Sequence, residues 1–290
     1  MNWKKLQNGS DIRGVALEGI EGEHVNLTPE VIETIAKSFV RWIRNNSDCE
    51  TPTIAVGMDC RLSGSSIKSA FVKGAVEAGA NVVDCGLAST PAMFMTTISE
   101  HVKATASVMV TASHLPFNRN GLKFFTPKGG LDSKDIASIL TIAENGEFAF
   151  EGAKGSSSTL DFMDIYSRHI ADYICEGVNA DDYQHPLKGM HIIVDAGNGN
   201  GGFFEKILSA LGADTKGSQF LDPDGRFPNH IPNPEDCEAM ASVCKAVEES
   251  DADLGVIFDT DVDRSAIIGR KGEPNNPQLS HCAYIFRDIG

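Results

Sequence analysis

Apolar residues in this chain fall into two alternating rhythms. Short runs rich in β-branched residues read as buried strands: TIAVGMD (53–59), NVVDCG (81–86), ATASVMV (104–110), LKFFTP (122–127), HIIVDA (191–196) and ADLGVIFD (252–259). SAIIGRKGE, from Ser265, reads as a further strand and turn. Between them lie segments of helical period. VIETIAKSFVRWI (31–43) is opened by Thr28-Pro29-Glu30, a capping residue, a proline at the first helical position and an early acid. Further helices are predicted over 66–78, from Thr90 to Glu100, over 133–143, from Asp161 to Cys175, over 203–212 and from near Pro234. Pro52, Gly79 and Gly212 punctuate the pattern, and Asn120-Gly121 reads as a tight turn before the fourth strand.

Two stretches repeat one plan. Residues 53–86 and 191–217 each run strand, glycine-containing loop, helix, Gly-Ala, strand. The repeat, and the flexible EGAKGSSS at 151–158, favour two similar α/β domains, each a sheet covered by helices. A length of 290 residues suits two domains, and 41% hydrophobic residues suffices for a core in each.

The charge balance, 25 basic against 40 acidic residues and a net −15, argues against broad binding to nucleic acid or anionic membranes. No apolar run reaches the ~18 residues a membrane helix requires, and the N-terminus has no apolar signal core. The expected location is the cytoplasm, or an organelle if a transit peptide has been removed. Seven scattered cysteines with no CxxC pair are expected to be buried free thiols.

Three loops at strand ends carry candidate chemistry, the place where such sheets commonly hold ligands. In DTDVDR, Asp259, Asp261 and Asp263 alternate, so an extended loop would turn all three carboxylates the same way. Such oxygen ligands suit Mg²⁺ or Ca²⁺. An EF-hand is ruled out, since Arg264 and Arg270 occupy the places of its glycine and glutamate. The alternative is an acidic, solvated turn. In TASHLPFNRNG, Ser113 follows a buried strand with His114 beside it; it is a nucleophile if a base or metal assists it, and otherwise a turn serine. Arg13, in GSDIRG, has the planar fork that suits phosphate, although most loop arginines are simply solvated. Lys123 either snorkels from an apolar strand or is a desolvated acid or base. GNGNGG (197–202) satisfies GxGxxG, but the acid expected after it, Asp222, lies in the turn DPDG; close strand-to-helix packing is the better reading than dinucleotide binding.

The ordered set GSDIRG, GMDCRLSG, TASHLPFNRNGLKF, DAGNGNGG, FPNHIPNPE and DTDVDR closely resembles the α-D-phosphohexomutase family, which includes phosphoglucomutase, phosphomannomutase and phosphoglucosamine mutase. The resemblance runs from about Gly9 to about Gly272. It implies two three-layer α/β/α domains with mixed sheets, at 1–150 and 160–270, and the opening of a third domain at 271–290. It implies Ser113 as a phosphoserine, and Mg²⁺ held by Asp259, Asp261 and Asp263 with the Ser113 phosphate. Arg264 would lie near the transferring phosphate, and Arg13, Lys123 and His114 would stabilise it and move protons. The substrate would be a phosphorylated hexose, a hexose bisphosphate would act as activator, and oligomeric state is left open.

The chain departs from the family pattern at Thr260 and Val262, where glycines are usual, at Leu115 in place of an asparagine, and at Ser10 in place of a tyrosine. If 260 or 262 needs a positive φ, a β-branched residue there is strained. The family's third and fourth domains, which hold the sugar and its non-reacting phosphate, are not seen, so the expectation is a fragment or truncated member with weak or absent turnover. The competing readings are a non-catalytic binding module of the same fold, a Mg²⁺ phosphatase with an aspartate nucleophile, and hydride transfer.

Overall fold

A computed structural model describes residues 2–270 and 272–274. The chain forms two compact units that divide after Phe162.

In the first unit a mixed sheet contains β1 (Gln7–Asn8), β2 (Asp11–Val15), β3 (Thr53–Met58), β4 (Asn81–Leu87), β5 (Ala106–Val110), β6 (Arg119–Thr126), β7 (Gly129–Gly130) and β8 (Ser157–Thr159). Their order is β1-β2-β6-β5-β3-β4-β8, with β7 paired to β6. β5, β3, β4 and β8 are parallel, while β6 runs antiparallel to β5 and β2. All five residues of β5 are buried, as a strand covered on both faces requires. One face packs against α1 (Pro29–Asn46), α2 (Gly64–Glu77) and α4 (Ser133–Asn145), where Phe39, Phe71 and Phe124 form an aromatic cluster. The other face receives α3 (Thr90–Met95), so closely that a Cβ on Gly57 would lie 2.5 Å from Met93 Sδ.

The local signals explain most boundaries. Thr28 caps α1 through its side chain, and Asp132 with Asp135 forms a reciprocal capping box on α4. α3 is shorter than the pattern predicts. The Thr96 and Thr97 hydroxyls donate back to Met93 O and Phe94 O, both at 2.7 Å, and the helix stops there. Asn120-Gly121 is not a turn. Both residues lie inside β6, where a Cβ on Gly121 would come within 2.3 Å of Ile12 O and 3.0 Å of Thr111 O. The glycine serves close strand approach instead.

The second unit contains α5 (Phe162–Val178, beginning at the division), β9 (Ile192–Asp195), α6 (Phe203–Ala210), α7 (Cys237–Ser250), β10 (Leu254–Phe258), β11 (Ser265–Gly269) and β12 (Glu273–Pro274). Its sheet order is β12-β11-β10-β9, with β9 and β10 parallel and the others antiparallel. α7 starts at Cys237 rather than near Pro234 because the Asp236 carboxylate accepts from Glu238 N and Ala239 N. The glycine-rich loop after β9 is a packing device: Cβ atoms on Gly199, Gly201 and Gly202 would lie 2.8 Å from Thr260 Cα, 2.9 Å from Phe258 and 2.1 Å from Leu221 O.

Six described cysteines are free, but burial is not uniform. Cys85 and Cys175 are buried while Cys237 is exposed. Burial, helped by Asp84, pushes the Cys85 thiol up to about 12 and leaves it inert. Cys282 and most of 271–290 lie outside the described residues. Among the described residues no helix is long and apolar enough to cross a membrane.

Candidate functional site

In the first unit, β5 delivers the chain into a loop whose shape is set by residues far away in sequence. Ser113 stands 4% exposed on left-handed backbone, φ +54°. Its amide donates to Thr111 Oγ1 at 2.9 Å, and that hydroxyl donates to Asp59 Oδ2 at 2.7 Å. Asp59 Oδ1 accepts from Arg61 N at 3.0 Å. The buried Arg61 guanidinium lies 3.3 Å from Asp59 and donates to four loop carbonyls: Ser113, Leu115 (2.6 Å), Pro116 (2.8 Å) and Arg119 (3.2 Å). The fork of an arginine is what can hold so many carbonyls at once. The Leu115 substitution leaves this intact, because the contact is to its backbone oxygen.

The other candidates of this unit differ in setting. His114 is exposed, with Nδ1 3.4 Å from Ser113 Oγ. Arg13, on β2, donates to Asp11 Oδ2 (2.7 Å) and to Ala112 O (3.4 Å), next to the serine. Lys123 is buried on β6, opposite Met109 of β5. Ser10 is exposed in the turn between β1 and β2.

In the second unit, the turn between β10 and β11 brings one oxygen each of Asp259, Asp261 and Asp263 within 4.8 Å of one another. Asp259 and Asp261 are fully buried. Asp259 also organises the turn. Its Oδ1 accepts from Asp263 N (3.1 Å) and Arg264 N (3.2 Å), and its Oδ2 from Arg264 Nε (3.1 Å) and an Arg264 terminal nitrogen (2.8 Å). The other terminal nitrogen of Arg264 donates to Asn233 Oδ1 at 3.1 Å. Burial works against the Arg264 charge, but Asp259, Asp263 and Asp261 outweigh it and raise its pKa. Three converging carboxylates are a hard oxygen donor set, which fits Mg²⁺ or Ca²⁺ and does not fit a soft metal.

Both substituted positions of this turn carry a cost. Val262 has φ +63°, the left-handed backbone that β-branched residues avoid. Thr260 has no such strain, but its buried hydroxyl finds no hydrogen-bond partner among the described residues. Val262 is itself 5% exposed, so shortening it loses packing as well as strain. Comparing Val262→Gly with Val262→Ala isolates the backbone. Glycine is expected to be the more stable of the two by about 1 kcal/mol, the reverse of the usual order. Urea unfolding midpoints measure this, and an alanine variant as stable as the glycine one would contradict a left-handed Val262.

Known proteins resemble this chain across both units. The family description "Phosphoglucomutase/phosphomannomutase, alpha/beta/alpha domain I" matches residues 4–150, and "domain II" of the same family matches 164–272. The chain belongs to the phosphoglucomutase/phosphomannomutase family. A phosphoglucomutase of Neisseria meningitidis serogroup B is 32% identical over 90% of this chain and 52% of its own length. A phosphomannomutase of Salmonella typhimurium is 35% identical over 89% of this chain and 54% of its own. A crystal structure of a phosphoglucomutase/phosphomannomutase family protein from Burkholderia thailandensis superposes with a TM-score of 0.74 at 27% identity, covering 93% of this chain and 55% of that one. The chain thus spans about half the length of the curated relatives it matches.

Within the family pattern, sequence reading assigned no role to Asp59 and Arg61. The signal was present in GMDCRLSG, a charged pair set between an apolar strand and a helix start, but its partners lie over 50 residues further on. Nor does the FPNHIPNPE segment by itself reveal the contacts of His230 with Asp195 or of Asn233 with Arg264.

Proposed function

We propose that this chain carries the phosphoryl-transfer residues of a hexose-phosphate mutase, with Ser113 as the phosphate carrier. The observation that carries the proposal is the clamp on the serine loop: Arg61, Asp59 and Thr111 hold Ser113 on a backbone conformation that costs free energy, and such strain persists chiefly where function uses it. In the proposed reaction the phosphoserine P–Oγ bond breaks as a bond forms between phosphorus and a sugar hydroxyl oxygen. The hydroxyl proton leaves to a nearby base, and Ser113 Oγ regains a proton. The bisphosphorylated sugar then turns round and returns its other phosphate to Ser113. His114 Nδ1 is close enough to Ser113 Oγ to exchange that proton. Arg13, beside Ala112, and the buried Lys123 are the cations for the phosphate oxygens. Asp259, Asp261 and Asp263 would hold Mg²⁺, which when bound neutralises charge on a transferring phosphoryl group. Arg264 orients Asp259.

Incubating the protein with glucose 1,6-bisphosphate and Mg²⁺, followed by intact-mass and peptide analysis, is expected to show one phosphoryl group on Ser113. Ser113→Ala should gain none. An unmodified wild-type chain that still binds the bisphosphate would favour the second reading, a non-catalytic sugar-phosphate binding module. Thr260 and Val262, each disfavoured in its setting, are what recommend that reading.

A further inference from the structure

His230 is buried in the second unit, and both of its ring nitrogens face acceptors. Nε2 lies 3.1 Å from each oxygen of Asp195, and Nδ1 lies 3.0 Å from Ile231 O. A neutral imidazole has one donor and one acceptor nitrogen, so either tautomer would aim a lone pair at an oxygen. Only the doubly protonated ring satisfies both contacts. Asp195, at the end of β9 and wholly buried, is otherwise met by donors: Gln219 Nε2 at 2.7 Å and Gly197 N at 2.9 Å. The Phe220 ring stands 5.3 Å from that of His230 at 78°, Gly197 lies against its Cε1, and Asp236 is a second nearby charge. Burial lowers the imidazole pKa, but Asp195, the Ile231 carbonyl and Asp236 together raise it above its ordinary value.

Two paths lead from this ring to the 259–264 turn. A Cβ on Gly197 would sit 2.9 Å from His230 Cε1, so the loop after β9 lies against the ring. That loop supports the turn directly, with Asn200 N donating to Thr260 O at 2.9 Å. On the other side, Asn233, three residues after His230, accepts from Arg264, which grips Asp259.

We propose that His230 is a positioning residue: a buried imidazolium, bonded to Asp195, that fixes the segment bearing Asn233 and thereby the orientation of Arg264 beside the carboxylate cluster. The inference concerns the second unit alone and does not depend on the mutase reading. Because the folded-state pKa is raised, the stabilisation is complete below the unfolded value of about 6.5 and disappears as pH rises through the folded value.

The test is a pH titration of the full ¹⁵N-labelled chain from about pH 5.5 to about pH 9, across the imidazole range. Long-range imidazole correlations are assigned with His230→Gln, and the Arg264 Nε–H signal with Arg264→Lys. Both His230 nitrogens are expected to read as protonated at pH values where free histidine is neutral. The Arg264 Nε–H signal should shift with the same midpoint, and Asp195→Asn should lower that midpoint. The wild-type titration needs no variant to fold, since a single imidazolium persisting among the eight histidines is visible directly. A neutral His230 tautomer at neutral pH overturns the proposal. So does an Arg264 signal lost to exchange at about pH 6, or one that stays fixed while His230 titrates.

Discussion

Replacing Arg61 with methionine is expected to destabilise the protein by about 3–5 kcal/mol, the cost of removing one partner from a buried ion pair. Methionine matches the length of the arginine stem, so lost packing contributes little. What is lost is the guanidinium beside Asp59, both side chains being wholly buried. Four loop carbonyls lose their shared donor at the same time. An exposed ion pair would contribute only about 0–1 kcal/mol, so the size of the effect separates a buried clamp from a surface contact. The double variant Asp59→Asn with Arg61→Met should recover the part due to the stranded charge. It should not recover the loop, because the carbonyls still lack a donor and Thr111 has lost its carboxylate acceptor. Urea unfolding gives the stabilities, and amide exchange at residues 112–116 reports the loop itself. A single variant within about 1 kcal/mol of wild type would show that the clamp is not what holds Ser113.

The sequence made some of this site legible and hid the rest, for physical reasons. The three aspartates could be singled out by their spacing, but they converge through a turn, closed by Val262 N donating to Asp259 O at 3.3 Å with Val262 left-handed, and not by the alternation of an extended loop. Ser113 could be singled out because it lies just past a short, largely apolar run that reads as a buried strand. Arg61 could not, since its meaning lies in carbonyl oxygens about 52 to 58 residues away and carbonyls have no sequence signature. Asn120-Gly121 was misread because the same dipeptide suits a tight turn and a close strand approach, and only the neighbouring strand distinguishes them. His230 was silent for a related reason. Its charge state depends on Asp195, 35 residues earlier, and on a carbonyl of its own chain segment. The strain at Val262 was anticipated from its β-branch, whereas the cost at Thr260 proved to be an unsatisfied hydroxyl rather than its backbone.

Without a cation, the Asp259–Asp263 turn stores repulsion, and this gives the last prediction its sign. Two unit charges about 4.8 Å apart interact by roughly 3–4 kcal/mol at an effective dielectric near 20. Arg264 offsets part of this, chiefly through Asp259, whose Oδ2 accepts from its Nε and a terminal nitrogen. Asp261→Asn removes two of the three repulsive pairs while keeping the side chain's size. In the presence of chelator the variant is therefore expected to be at least as stable as wild type. Adding Mg²⁺ should reverse the order. Wild type gains about 2.7 kcal/mol when the free ion reaches a hundredfold excess over its Kd, and the variant, with a weakened donor set, gains little. Paired thermal or urea unfolding curves, with and without Mg²⁺ at constant ionic strength, would show the crossing; constant ionic strength is needed because salt alone screens the cluster. If Asp261→Asn were destabilising in chelator and Mg²⁺ moved neither protein, the carboxylates would be acting as a structural turn and not as a cation site. The crossing does not depend on turnover, so it tests the carboxylate cluster even if Ser113 never accepts a phosphate.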